Sequence, residues 1–145
     1  MGNISQHFDL EEFIDPVTFK ELGGRSILKI DSKLINIAEL VRFYCDKAVM
    51  INNWNTGGDH KESGLRRLES KIGALHSAHK EGKAIDFRVV GMTPEQVHAI
   101  IMAHEKDFYN AGVRQMEDLS FTPSWTHLGI RGKDNTQSKI QIIKP

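Results

Sequence analysis

The chain has 145 residues, of which 39% are hydrophobic and 26% are charged, which is typical of one soluble globular domain spanning residues 1–145. Its 19 basic and 19 acidic side chains cancel, which argues against a general nucleic-acid-binding protein because such proteins carry a basic excess. The single cysteine, Cys45, excludes an intrachain disulfide, and no apolar run approaches the ~20 residues that cross a bilayer.

Short helical segments are predicted near the N-terminus. Asp9 and Glu12 occupy the positions of a helix capping box, and Phe8 with Phe13 would form the hydrophobic staple around it. The dipeptide at 15–16, Asp followed by Pro, ends this turn and starts another helix, which the two glycines at 23–24 stop.

The middle of the chain predicts a long helix, two strands and an extended loop. Apolar residues recur at helical spacing from Asp31 to Lys47, which predicts an amphipathic helix. Val49–Trp54 and Ala84–Val90 read as strands, and the polar stretch 55–77 between them is a long loop of the kind that usually carries function. Thr93 then caps a helix that begins with Pro, Glu and Gln.

The last third predicts three further strands, Val113–Glu117, Trp125–Arg131 and Ile140–Ile143. Of the two histidines in the preceding helix, His98 is expected at the surface and His104 on the buried stripe. Helices grouped apart from several strands predict an α+β domain with a mainly antiparallel sheet and helices on one face.

Strand alternation predicts a cluster of metal-binding side chains. In the predicted strand Ala84–Val90 the apolar residues lie on the opposite face from Asp86. In the predicted strand Trp125–Arg131 the apolar residues likewise lie on the opposite face from His127. If both apolar faces pack on the helices, Asp86 and His127 project from the opposite face, and His79 lies just across a turn at Gly82. Two imidazoles and one carboxylate leave one tetrahedral position free, which is the pattern of a catalytic zinc site.

The segment Ser77-Ala-His79-Lys-Glu-Gly82-Lys-Ala84-Ile-Asp86 follows the Ser-x-His-x-x-Gly-x-Ala-x-Asp signature of a known peptidase family. With Trp125-Thr-His127 downstream, the chain resembles the zinc D-alanyl-D-alanine carboxypeptidases and L-alanyl-D-glutamate endopeptidases. That family includes several phage endolysins and shares its fold with the hedgehog signalling domain. The resemblance implies a zinc peptidase that cleaves a stem peptide of bacterial peptidoglycan.

The resemblance also implies roles for individual residues. His79, Asp86 and His127 would be the zinc ligands. The segment Ser-Gly-Leu-Arg that ends at Arg66 is similar to the family's Ser-Gly-Tyr-Arg, so Arg66 would bind a substrate carboxylate or carbonyl. Ser77 would help to hold the peptide, with Trp125, which shares the face of His127, as the third substrate-binding candidate.

The chain departs from the family at the general base. Family members commonly carry Asp or Glu three residues before the second histidine, and here that residue is Ser124. Glu117, on the preceding strand of the same predicted hairpin, is the candidate base, and Asp118 is the alternative.

Simpler interpretations stay open at this point. His79 and Asp86 could be an ordinary hydrogen-bonded pair and His127 a structural histidine. Arg66 and Glu117 could be solvated surface charges, and Trp125 a core residue. Two other functions are therefore considered, a zinc-stabilised binding module without hydrolytic activity and a scaffold without metal. The patterns do not choose between L-Ala–D-Glu endopeptidase and D-Ala–D-Ala carboxypeptidase activity.

The expected partner is a peptidoglycan peptide, with no nucleic acid and no membrane partner, and the protein is expected to be a monomer. The first residues lack the basic and apolar regions of a signal peptide. We therefore expect synthesis in the cytoplasm and action at the bacterial cell wall after release, as for a phage or prophage lysin that depends on a separate holin.

Overall fold

A computed structural model describes residues 3–145 and shows an α+β fold. Among these residues there are four α-helices, namely α1 (Pro16–Leu22), α2 (Lys33–Cys45), α3 (Pro94–Ala103) and α4 (Glu105–Ala111). The five strands are β1 (Val49–Met50), β2 (Ala84–Val89), β3 (Gln115–Glu117), β4 (Thr126–Gly129) and β5 (Gln141–Ile143). None of these helices combines the length and apolar character that a membrane span requires.

The five strands form one mixed sheet in the order β1-β2-β4-β3-β5. The β1–β2, β2–β4 and β3–β4 pairings are antiparallel, as predicted for most of the sheet, and the β3–β5 pairing is parallel. The parallel pairing arises because the chain reverses after β4 and returns on the far side of β3, so that β5 runs in the direction of β3. Helices α2 and α3 pack on β2, and α4 packs on α2.

The predicted N-terminal capping features are present around a single 3₁₀ turn, Leu10–Glu12. The Glu12 carboxylate accepts a hydrogen bond from the backbone N–H of Asp9 at 2.8 Å. The rings of Phe8 and Phe13 meet edge to face with their centroids 5.6 Å apart, as expected for the staple. The Asp15 side chain then caps the start of α1, and Gly23 is the C-cap at its end.

The predicted strand Val49–Trp54 is wrong beyond Met50, because Asn52 joins the N-terminal loop instead of the sheet. Its backbone N–H donates to the Glu12 carbonyl at 3.0 Å. Its buried side chain accepts from the N–H of Ser63 at 2.9 Å and donates to the carbonyl of Ile14 at 3.1 Å. The side chain therefore joins the N-terminal loop to the long polar loop.

Of the two histidines of the helical region, His98 differs from its predicted environment and His104 packs at the edge of the helical stripe, as expected. His98 is buried rather than at the surface, and this burial lowers its pKa. His104 lies at the break between α3 and α4, where its ring stacks on that of Tyr44 with centroids 3.8 Å apart. Neither histidine lines the cavity that contains His79, Asp86 and His127.

Gly82 ends the 3₁₀ turn Ala78–Glu81 and connects it to β2. Its φ of +67° lies in the left-handed region, as the sequence predicts. A Cβ at this position would lie 2.1 Å from the carbonyl oxygen of Lys29. A side chain is therefore disfavoured at residue 82 both by the backbone conformation and by the lack of space.

Gly82→Ala is expected to lower the free energy of unfolding by at least about 2 kcal/mol, because left-handed strain and overpacking add. Gly91→Ala is the matched control, since Gly91 also has a positive φ of +80° but nothing lies within 4 Å of its added Cβ. Urea unfolding measures the free energy of unfolding of both variants. Equal decreases in the two variants would show that the contact with Lys29 is unimportant.

Candidate metal centre

The sheet register brings Asp86 and His127 directly opposite each other on β2 and β4. Asp86 Oδ1 lies 2.8 Å from His127 Nδ1. His79 enters from the 3₁₀ turn before β2, and its Nε2 is 3.2 Å from both of these atoms. All three ligand atoms lie within 4.8 Å of one another, so this buried group could hold a metal ion.

A backbone carbonyl orients the ring of His79. The Nδ1 atom lies 3.0 Å from the carbonyl oxygen of Gly64. Because a carbonyl only accepts hydrogen bonds, Nδ1 carries the hydrogen and Nε2 of the neutral ring presents a lone pair to Asp86 and His127. Histidines that bind metals typically donate their other N–H to such an acceptor.

The chemistry of the donor atoms suits a cation at their centre. When both histidines are neutral, the 3.2 Å contact between His79 Nε2 and Asp86 Oδ1 opposes two lone pairs with no hydrogen between them. A cation placed among the three atoms turns this repulsion into attraction. Two imidazole nitrogens and one carboxylate oxygen form a donor set that Zn²⁺ accepts.

Asp86 is ionised in this environment. Burial by itself raises the pKa of Asp86, but hydrogen bonds and charge from His127 and His79 outweigh burial and bring that pKa below its usual range. His79 and His127 are themselves buried, with 3% and 6% of their surface exposed. A carboxylate that stays charged at neutral pH is the form that binds a divalent cation.

The segment Ser63–Arg66 runs beside the centre and supports it through backbone hydrogen bonds. The Ser63 carbonyl accepts from the N–H of Asp86 at 2.7 Å, and the N–H of Arg66 donates to the carbonyl of His79 at 3.0 Å. Gly64 is required because a Cβ there would lie 2.4 Å from the carbonyl oxygen of Phe13. This supporting role was not predicted, because the loop contains four glycines and nothing in the local sequence shows which of them packs against the N-terminal loop.

Glu117 lies at the centre, whereas Asp118 does not. Met116 pairs with Leu128, so the register continued by one residue sets Glu117 opposite His127. Glu117 Oε1 is 3.8 Å from His127 Nδ1. The carboxylate of Asp118 instead accepts from the N–H and the hydroxyl of Ser120, at 3.0 and 2.6 Å.

An open cavity of about 380 Å³ gives access to the centre. Its wall contains the three ligand candidates, Glu117 and the three predicted substrate-binding residues Arg66, Ser77 and Trp125. Ser124 lies outside it, in the wall of a neighbouring cavity that shares Trp125. Ser77 also has a structural role, because its hydroxyl accepts from the N–H of His79 at 3.3 Å.

Arg66 is buried with 7% of its surface exposed, so it is not the solvated loop charge that the sequence left open. Its guanidinium makes only long contacts, 3.5 Å to Ser77 Oγ, 3.5 Å to the carbonyl of Ile72 and 3.3 Å to the carbonyl of Glu62, and its Nε has no partner. Within residues 3–145 no carboxylate forms an ion pair with it. A buried guanidinium without a counterion favours an anionic group entering the cavity.

Comparisons of the chain with protein-family models, curated proteins and solved structures find no match. Membership of a peptidase family therefore stays a prediction. It depends on the signature at residues 77–86 and on the second histidine, His127.

Proposed function

We propose that the protein is a zinc metallopeptidase of the D-alanyl-D-alanine carboxypeptidase and L-alanyl-D-glutamate endopeptidase family, with the hedgehog-like fold of that family. Its substrate would be a stem peptide of bacterial peptidoglycan. The observation that carries the proposal is the convergence of three ligand atoms, with the carboxylate of Glu117 beside them, in an open cavity. The family and the substrate class rest on the signature in the sequence.

The proposed zinc ligands are His79 Nε2, Asp86 Oδ1 and His127 Nδ1. Three protein ligands leave one position for water or substrate, which distinguishes catalytic from structural zinc sites. When bound, zinc supplies a Lewis acid that lowers the pKa of water and polarises a carbonyl oxygen. The hydrogen bond from His79 to Gly64 holds one of the rings in the tautomer that this role needs.

Glu117 is the proposed general base and acid. Its Oε1 would take a proton from the attacking water as the new C–O bond forms, and would pass that proton to the amine as the peptide C–N bond breaks. The products are a carboxylate and a free amine. Proton transfer by a positioned carboxylate contributes typically about 10²–10⁴-fold to the rate. The 3.8 Å separation between Glu117 Oε1 and His127 Nδ1 supports this role, because a general base must lie beside the reacting group.

Arg66, Ser77 and Trp125 are the proposed substrate-binding residues. Arg66 would pair with a carboxylate or carbonyl of the peptide, a task that suits a guanidinium lacking a counterion. Ser77 would offer its hydroxyl to the peptide backbone, and the Trp125 ring would support an apolar part of the substrate. In this role the protein would act at the cell wall after release from the cytoplasm, as phage lysins do.

One observation favours a second candidate, a zinc-stabilised binding module without hydrolytic activity. The acid that family members commonly carry three residues before the second histidine is replaced by Ser124, which lies outside the metal cavity. If Glu117 does not act as the base, the metal would only stabilise a peptide-binding surface.

Digestion of purified peptidoglycan tests the two candidates. The parent protein with zinc is expected to release free amino groups, excess chelator is expected to abolish the release, and added Zn²⁺ is expected to restore it. Mass spectrometry of the fragments identifies the bond cut. Full activity in excess chelator would exclude the zinc mechanism. A zinc-loaded protein that cleaves neither walls nor small D-amino-acid peptides would favour the binding module.

A further inference from the structure

A second arginine, Arg131, lies in the wall of the metal cavity. It follows β4 and shares the face of His127, because residues 127, 129 and 131 alternate with the apolar ones. The N–H of Ile130 still donates to the carbonyl of Lys83 at 3.0 Å, so the extended pairing continues to this point. Four extended residues span about 13 Å, which places the Arg131 backbone a few peptide residues away from the metal ligands.

The intervening residue on this face is Gly129. Gly129 carries no side chain but is buried, and a Cβ built on it would lie 3.7 Å from His127 Nε2 and 3.8 Å from Gln115 Oε1. The side chain of Gln115 therefore lies near this part of the strand, and Gln115 lines the same cavity as His127 and Arg131. A bound peptide can extend from the metal centre to Arg131 through this cavity, past Gln115.

The guanidinium of Arg131 is held in place on one side only. Its Nη1 donates to the carbonyl of His76 and to the carboxylate of Glu81, both at 2.6 Å. The side chain is 42% exposed, and its other nitrogens have no hydrogen-bond partner among residues 3–145. Two anchors fix the group while further donors stay free for a ligand.

Glu81 does not prevent a ligand from binding. The side chains of Arg131 and Glu81 are 42% and 45% exposed, and ion pairs that water reaches in this way contribute little to stability because water screens them. A carboxylate that enters from the cavity can therefore share or replace Glu81. A guanidinium suits this task because it can bind one carboxylate with two parallel hydrogen bonds.

We infer that Arg131 binds a carboxylate of the substrate at the rim of the cavity and so selects peptides that carry a negative charge away from the scissile bond. The inference rests on the proposed function for the identity of the peptide. A stem peptide offers this chemistry in two places, the free carboxylate of its D-Glu residue and its C-terminal carboxylate.

Three synthetic stem peptides distinguish these two carboxylates. They are the parent peptide, its C-terminal amide, and a form in which an amide replaces the free carboxylate of D-Glu. Binding is measured by calorimetry on zinc-free protein, and kcat/KM on the zinc-loaded protein. Arg131→Gln is expected to weaken binding of the parent peptide about tenfold, which corresponds to 1.4 kcal/mol. The same substitution is expected to leave the affinity for one of the two amide forms unchanged. The amide form that responds in this way identifies the carboxylate that Arg131 binds.

Matched variants test whether charge alone explains the effect. Arg25→Gln removes the same charge from an exposed arginine outside the cavity and is expected to leave all three affinities unchanged. Glu81→Gln removes the competing carboxylate and is expected to tighten binding of the parent peptide several-fold. Arg131→Lys keeps the charge without the fork and is expected to retain part of the preference.

The assignment would be overturned if Arg131→Gln lost the same binding affinity for all three peptides, or lost none for the parent peptide. Thermal unfolding of each variant confirms that the comparison is between folded proteins. If the parent protein binds these peptides with the predicted preference but cleaves none of them, the assignment of Arg131 stands and the proposed hydrolysis fails. If it cleaves them without any preference, the hydrolysis stands and the assignment of Arg131 fails.

Discussion

Glu117→Gln is expected to lower kcat for peptidoglycan hydrolysis by about 10²–10⁴-fold while zinc binding is retained. The amide has nearly the same shape as the carboxylate but cannot take a proton from water at neutral pH. Glu117 is not one of the three ligand candidates, so the metal content should stay at one zinc per chain. Release of amino groups and elemental analysis of the same sample measure the two quantities together.

Asp118→Asn is the matched control for Glu117→Gln. Asp118 is the next residue in the chain, but its carboxylate is engaged by Ser120 rather than directed at the metal centre. We expect the hydrolytic activity of the Asp118→Asn variant to stay near that of the parent protein. A large loss in Asp118→Asn together with normal activity in Glu117→Gln would reverse the assignment of the base.

Asp86→Asn is expected to weaken zinc binding by more than about 100-fold, because loss of an outer hydrogen-bond partner already costs about 10–100-fold and Asp86 is proposed as a direct ligand. The substitution removes the only anionic ligand of the three and leaves two neutral imidazoles. Competition with a chromophoric chelator measures the affinity. Hydrolysis should be lost in parallel at limiting zinc.

Asp134→Asn provides the comparison for Asp86→Asn. Asp134 is an exposed aspartate whose partner is Arg114, and it lies outside the metal cavity. Zinc affinity should be unchanged in this variant. Parental zinc affinity in Asp86→Asn would mean that the metal, if bound, is held by other residues.

The two strands that carry Asp86 and His127 could be predicted from the sequence because their apolar residues recur at every second position. Strict alternation in β2 and β4 separates the apolar residues from Asp86 and His127 without knowledge of the rest of the fold. The helix at Asp31–Lys47 was predictable for a similar reason, since its apolar residues recur at helical spacing. The turn at Gly82 was predictable because glycine is the residue that most readily adopts the positive φ that a tight turn requires.

The supporting contacts could not be predicted because they join distant parts of the chain. Asn52 looks like a strand residue in the local pattern, and only its bonds to Ser63 and Ile14 show that it connects two loops. Likewise, periodicity contains no information on which carbonyl faces His79, and the answer, Gly64, lies 15 residues earlier. The order of strands at the edge of the sheet depends on the return path of the chain after β4, which has no local signal.

X-ray diffraction at the zinc absorption edge, from crystals grown with zinc, is the decisive experiment for the proposed metal site. One anomalous peak per chain is expected, in contact with His79 Nε2, Asp86 Oδ1 and His127 Nδ1. A peak at another position, or a zinc-soaked crystal in which these three side chains point away from one another, would contradict it.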